Sequence, residues 1–496
     1  MRKTIEKQLK IGQVDICNIQ IDLRSRDEIP QLLLGLQAIY KDRQVREEVF
    51  TILEGIIPMH IDSSNGRPGM DLWRILVLGT LRLDCNWDYD KLHEIANNHK
   101  TVREFLGHTI FEFNKRYALQ TLKDNISLFT PEVLDQISQV VVKVGHKLFS
   151  SHDQEKLKGR CDSFVVETDV HYPTDINLLW DAIRKVIELS ERECAELGVT
   201  EWRQSRYILM KIKKLFKRVR TIKRPNSKDE KKKVKREKLI IEAHQEYIDL
   251  AEQYIKRARM GITILNEMGI GNIARIMVIE HFIGHAERQI DQIRRRVIKG
   301  EKIPHNEKTF SIFEEHTEWI SKGKAGVSQE LGLKVCILED QHGFILHHYV
   351  MEHQTDDQIA VEMVVEAKRK FAILSSCSFD RGFHSPNNQE DLKELLDHVV
   401  LPRKGKLSLK AKAIEHSEDF IKSRCKHSAV ESAINALENH ALDRCPDHSI
   451  IGFKRYVALA VLARNIQILG AKIQKKAQKR LRRRDGIARN PYRLAA

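Results

Sequence analysis

The sequence predicts an α/β protein: one mixed sheet whose first strand is cut off from the rest by a large helical insertion, with a helical region in front. Three observations predict it. A β-branched apolar run at residues 163–170 stands alone and ends in polar residues before Pro173. Residues 175–305 then run with few breakers and read as long helices. Beyond about residue 330 the apolar spacing changes, and short strand-like runs alternate with amphipathic helices.

Taken in order, the first 150 residues are mainly helical. Apolar residues recur at helical spacing in 31–40 and 70–83, separated by a polar break at 62–68. Residues 89–99 and 101–106 read as two short helices, which suit either a DNA-reading pair or an ordinary bundle. The insertion is strongly basic at 211–238, where Pro225-Asn226-Ser227 interrupts it, with further basic groups at 256–259 and 294–296. A long helical hairpin or bundle fits, and its excess of positive charge favours phosphate contact. In the last part, 333–338 and 344–351 form a hairpin around the turn 340–343. A helix at 357–371, strands at 373–379 and 399–402, and helices at 429–441 and 453–471 follow. The resulting divisions are 1–150, 160–174, 175–305, 306–471 and a basic tail at 472–496.

The bulk numbers agree with such a protein. The chain has 496 residues, too many for one compact core, with 42% hydrophobic and 31% charged residues. Its net charge of +15 favours a polyanionic partner, and nucleic acid is the commonest. The 8 cysteines are scattered and make no disulfide framework. No apolar run approaches bilayer length and residues 1–10 lack a signal-peptide core, so a cytoplasmic protein with access to DNA is expected. No phosphate-cradling glycine loop is present, so ATP is not expected.

Asp169 ends the first strand and Asp380 ends a later one, followed by Arg381-Gly382. In α/β sheets side chains at these carboxyl ends open into the functional crevice. Glu431 sits on a helix, with His427, Ile434 and Glu438 on its face and Val430, Ala433 and Leu437 on the adjoining apolar side. Three convergent carboxylates suit hard divalent cations, and two such ions can drive in-line phosphoryl transfer. Asp175 competes with Asp169 for the first position, but it follows Pro173 and suits the start of a helix.

With these motifs assembled, the sequence resembles the DDE transposases of bacterial insertion sequences, closest to the ISNCY-like group. The resemblance runs over nearly the whole chain. It rests on Gly66-Arg67-Pro68-Gly69-Met70, on Glu167-Thr168-Asp169-Val170-His171-Tyr172-Pro173-Thr174-Asp175, and on Trp319-Ile320-Ser321-Lys322-Gly323-Lys324. Ser378-Phe379-Asp380-Arg381-Gly382-Phe383 and His427-Ser428-Ala429-Val430-Glu431-Ser432 with Asn435 complete it. It implies an RNase H-like core, a helical N-terminal DNA-binding or dimerisation domain, and Asp169, Asp380 and Glu431 holding two Mg2+ or Mn2+ ions. It also implies cleavage at the ends of a mobile element, strand transfer by a 3′-hydroxyl, and a homo-oligomer acting on double-stranded DNA in the bacterial nucleoid. An RNase H-like nuclease without strand transfer and an inactive DNA-binding relative are the alternatives. Candidate DNA contacts are Lys213, Lys214, Lys217, Arg218, Arg220, Lys322, Lys324, Lys404, Arg424 and His427. Related enzymes often carry Tyr, Arg and Lys around the glutamate, where this chain has Arg424, His427 and Glu438; Glu438 cannot copy the lysine.

Two further sets can be weighed for metal. His281 and His285 are four apart, but Phe282 occupies the position a zinc-protease glutamate would take, so a helix-face pair is the better reading. Cys425, His427, Cys445 and His448 have irregular spacing for zinc and are disfavoured.

Overall fold

The computed structural model describes residues 2–5, 8–57, 69–149, 155–222, 229–267, 272–321 and 329–489. It divides into two compact units, Met1–Asp169 with Ile320–Ala496, and Val170–Trp319.

In chain order, seven α-helices come first among the described residues: α1 (Glu28–Lys41), α2 (Arg43–Glu54), α3 (Leu72–Asp84), α4 (Tyr89–Asn98), α5 (Lys100–Phe105), α6 (Leu119–Ile126) and α7 (Pro131–Phe149). Asp27, Asp42 and Asp88 start α1, α2 and α4 by accepting backbone N–H groups in the first turn. Strand β1 (Leu157–Thr168) follows, then α8 (Asp175–Glu196), α9 (Ser205–Thr221), α10 (Glu230–Glu267) and α11 (Ile273–Ile293). The chain returns through β2 (Glu318–Ser321), β3 (Gln329–Glu339) and β4 (Ile345–Met351). It continues with α12 (Asp356–Lys370), β5 (Leu374–Phe379), α13 (Pro386–Leu395), β6 (His398–Val400), α14 (Leu409–Glu415), α15 (Glu418–His427), α16 (Ala429–Leu437), β7 (Arg444–Cys445) and α17 (Ser449–Arg489).

The seven strands form one mixed sheet, with the path β2-β3-β1-β5-β6. β4 pairs antiparallel with β3, and β3 antiparallel with β1. On the other edge of β1, β5 pairs parallel with Leu157–Cys161 and β7 parallel with Glu167 and Thr168. The expected hairpin is present: Asp340 N–H donates to Phe344 O at 2.9 Å, and the Asp340 carboxylate accepts from the N–H groups of His342 and Phe344. The first strand, expected at 163–170, begins at Leu157, six residues earlier. Its first half alternates buried and less buried residues, but Lys158, Arg160 and Asp162 occupy the outward places and hide the apolar run.

The amino-terminal helices and the sheet share one hydrophobic core that includes Leu32, Leu36, Trp73, Leu76, Val141, Val166 and Leu338. Its centre is α17, which is longer than the helix expected at 453–471. The stretch Ser449–Arg483 is long and apolar enough to cross a bilayer, against the sequence expectation, but 72% of its most apolar window is buried inside the protein. Two glycines let α1 and α17 close up. A Cβ on Gly35 would lie 2.2 Å from Ile466 O, and one on Gly470 would lie 1.8 Å from Gln31 O. The fully buried Asn465 fastens α17 to the sheet: its amide accepts from Ile345 N–H and donates to Ile345 O, both at 2.9 Å. The same amide donates to Ser138 Oγ on α7 at 2.9 Å.

The second unit has its own core. Leu179, Ile183 and Ile187 of α8 pack with Ile212 and Phe216 of α9, Tyr247 and Ile248 of α10, and Ile279 and Ile283 of α11. Trp180 stacks on Phe216 at 5.5 Å.

Asn465→Leu removes three buried hydrogen bonds and leaves both polar groups of Ile345 without this partner. We expect a loss of about 3 kcal/mol, read as a lowered urea midpoint and faster hydrogen exchange at the Ile345 amide.

A candidate acidic active site on the sheet

The site is built where β1 and β5 run side by side. Their parallel register pairs Cys161 with Phe379, both fully buried. One residue further along each chain come Asp162 and Asp380, side chains on the face opposite the cysteine and phenylalanine. β5 ends here and β7 joins β1 only at Glu167, so this edge of β1 has no strand partner from Asp162 to Val166. Such a gap beyond the carboxyl end of a strand is a natural crevice. The same face carries Arg160 and Ser378, and α15 and α16 lie over it.

Glu431 occupies the first turn of α16, where its N–H donates to Ser428 O at 3.2 Å. Val430 and Leu437 are buried beneath the helix, leaving Glu431 exposed. His427, the last residue of α15, meets Ser378 Oγ through Nδ1 at 3.0 Å. Burial lowers the His427 pKa, with Asp380 and Glu431 opposing and Arg160 reinforcing the shift, so the ring is neutral at neutral pH. Arg160 spans the end of the sheet, donating to Asp340 O at 2.6 Å and pairing with Glu339 at 2.9 Å.

Electrostatics define the centre of the cluster. Burial pushes the Asp162 carboxyl up to about 6; the Ser163 N–H opposes this, while the charges of Asp380, Asp356 and Glu431 add to it. Asp356, at the start of α12, is already engaged, accepting from Ser163 Oγ at 2.6 Å and Lys334 Nζ at 3.0 Å. Asp380 and Glu431 also act on Asp162 through space. The three acids act at longer range than the one group among the described residues whose His and acid ligand atoms all fall within 4.8 Å, namely His281, His285 and Glu315.

Of the three acids expected from the sequence, Asp380 and Glu431 both act electrostatically on Asp162 and His427; Asp169 lies elsewhere. It is exposed beyond the far end of β1, 3.6 Å from Arg444 Nη1. Seven residues of extended chain separate it from Asp162, roughly 23 Å at the rise of a strand. The physical reason is the early start of β1, which places an internal aspartate, not the terminal one, opposite Asp380. An acid on the outward side of an alternating strand was the signal that could have revealed Asp162, and a strand begun at residue 163 excludes it by one place. Asp175 lies in the first turn of α8, capped by Thr174, and pairs with Arg296 at 2.9 Å.

The basic candidates are dispersed. Lys213, Lys214, Lys217, Arg218 and Arg220 are exposed on α9, opposite the buried Ile212, Phe216 and Val219. Arg218 is paired with Glu246. Lys404 donates to Gly382 O at 2.9 Å, beside Asp380, and Arg424 is exposed on α15. Lys322 and Lys324 lie outside the described residues, as do Gly66, Arg67 and Pro68. The cysteine–histidine set does not converge: Cys445 pairs with Thr168, whereas His427 meets Ser378, opposite Arg160. Those places on β1 are roughly 26 Å apart.

Comparison with known proteins gives no matching family model, no matching curated protein and no matching solved structure.

The raised Asp162 pKa has a consequence for stability. The folded protein holds this proton more tightly than the unfolded chain, whose carboxyl has the ordinary value of 3.8. The group's contribution is therefore full below about pH 4 and is lost as pH rises through about 6. Asp162→Asn should melt with wild type near pH 4 and above it at pH 7, in EDTA. A wild-type chain that instead gains on the variant with rising pH would contradict the buried cluster.

Proposed function

We propose that this protein is a DNA transposase of the DDE type, with Asp162 in place of Asp169 as the first acid beside Asp380 and Glu431. The observation that carries the reading is the parallel register of β1 and β5, which sets Asp162 beside Asp380 under the helix bearing Glu431. The sheet supports an RNase H-like core: antiparallel pairings on one side of β1, three parallel ones on the other, and the acids at the parallel junction.

The donor set fits Mg2+ or Mn2+. It consists of carboxylate oxygens, the hard ligands these ions take, and burial, with the charges of Asp380, Asp356 and Glu431 adding to it, raises Asp162. Asp162, Asp380 and Glu431 would hold the metal, which supplies charge neutralisation at the scissile phosphate and activates the attacking oxygen. The protein's own part is positioning. The paired strands fix two carboxylates on a rigid sheet, and α16, anchored by Val430 and Leu437, fixes the third. His427, neutral and held by Ser378, presents a ring at the rim beside the strand to be cut. Lys404, fixed over Gly382, and exposed Arg424 supply positive charge to phosphates flanking the acids. The basic face of α9 offers a separate backbone contact. We infer a homo-oligomer, since joining element ends requires two of them together.

The test uses linear DNA ending in the sequences that flank the gene on either side, and a plasmid target. With Mg2+, the wild-type chain should nick the ends and join them to the plasmid. Asp162→Asn, Asp380→Asn and Glu431→Gln should each lose at least about 100-fold, while Asp169→Asn keeps most of the activity. Activity retained in Asp162→Asn and lost in Asp169→Asn would overturn the assignment, and nicking without joining would make the protein a nuclease. Mg2+ should also raise the melting temperature of wild type and not of Asp162→Asn.

Replacing Lys213, Lys214 and Lys217 with Gln should weaken DNA binding at low salt. The slope of log K against log salt should fall by roughly 0.9 for each lysine that contacts a phosphate. An unchanged slope assigns the α9 face to another role.

A further inference from the structure

The second unit contains a cluster that the acidic site does not use. His281 and His285 lie one turn apart on α11, and Glu315 reaches them from the segment leading to β2. Glu315 Oε1 is 3.0 Å from His281 Nε2 and 2.6 Å from His285 Nε2, and the two Nε2 atoms are 3.2 Å apart. Three ligand atoms thus form a closed triangle. The rings meet edge to face, with centroids 4.6 Å apart at 89°. The turn carrying Glu315 is itself fixed, because buried Ser311 Oγ accepts the N–H groups of Phe313 and Glu314 at 3.2 and 3.0 Å.

Hydrogen bonding satisfies this triangle poorly. If both rings carry a proton on Nε2, both donate to one oxygen and the two N–H groups face each other across 3.2 Å. If one Nε2 donates to the other, the accepting nitrogen has already spent its lone pair and its contact with the carboxylate oxygen has no proton. A cation at the centre uses all three lone pairs at once. Ligands about 2.0–2.1 Å from a tetrahedral zinc lie about 3.3 Å from one another; two edges here, 3.2 and 3.0 Å, are close to that, and the 2.6 Å edge between His285 and Glu315 would have to lengthen on metal entry.

We propose that His281, His285 and Glu315 form a binding site for one zinc-class divalent cation. Two imidazoles and one carboxylate select a borderline ion over Mg2+ or Ca2+, which prefer oxygen. His285 is buried, while His281 and Glu315 are half exposed at 51% and 53%, so the site is built from inside and open to water for a fourth ligand. The ion would clamp the returning segment onto α11, a role separate from chemistry at Asp162 and independent of the transposase reading.

The test is metal binding by the untagged full chain, stripped with EDTA, dialysed, and titrated with Zn2+ against a chromophoric chelator. Co2+ serves as the spectroscopic probe. Wild type should take up one tight equivalent of Zn2+ and give the intense visible absorption of four-coordinate Co2+. His281→Gln, His285→Ala and Glu315→Gln should each weaken binding by more than the roughly 10–100-fold that loss of an outer partner costs. His281→Gln changes an exposed side chain and is the variant that keeps the fold, checked by circular dichroism. Asp162→Asn with Asp380→Asn should leave Zn2+ binding intact, which separates this site from the acidic one. No tight equivalent in wild type, or the same uptake in His281→Gln, would overturn the proposal.

Discussion

The structure depends on β1 serving two kinds of neighbour at once. One edge runs antiparallel to β3 along most of its length, and the other runs parallel to β5 over only its first residues. Because side chains alternate, this double pairing admits one register. A slip by one place would turn Cys161 outward and drive Asp162 into the core. The apolar burial that stabilises the sheet is therefore the same constraint that sets Asp162 and Asp380 side by side on one face. The placement of Asp162 beside Asp380 needs no separate device; it follows from which residues must be buried.

Much of this order was legible in the sequence. The hairpin, α12, β5 and the helix bearing Glu431 were readable because apolar period and turn residues agree there, as in the run ending at Asp380 and the turn opened by Asp340. Asp380 and Glu431 could be named because each closes or starts a regular element. Asp162 was lost for a local reason: Lys158, Arg160 and Asp162 make half of β1 look like a polar loop, and only pairing with β3 and β5 shows it to be a strand. Likewise, nothing local announces that α1, α3 and α7 pack on α17, since helix packing depends on partners hundreds of residues away. The two-residue strand β7 is too short to carry any pattern.

Polar groups inside the unit act as fasteners. Asn465 reads both backbone groups of Ile345, and His146 on α7 meets the fully buried Asp340 at 2.5 Å in the hairpin turn. Both tie helices to the same hairpin, and Arg160 adds a bond from β1 to Asp340 O. A buried amide or carboxylate costs several kcal/mol if left unmatched, so these contacts specify one docking of α7 and α17 where apolar packing alone would accept several. The His281 and His285 pair plays a comparable part in the second unit, fixing an irregular segment to a helix.

The placement of the insertion also sets a timetable. Glu167 and Gly332 are neighbours across β1 and β3, yet all of α8 to α11 lies between them in the chain. At ordinary rates of synthesis, β1 leaves the ribosome on the order of ten seconds before β3. During that interval Phe164, Val165 and Val166 have no sheet to join, while the helices behind them can fold through contacts close in sequence. A nascent chain of this design exposes an unpaired apolar strand until its partner is made.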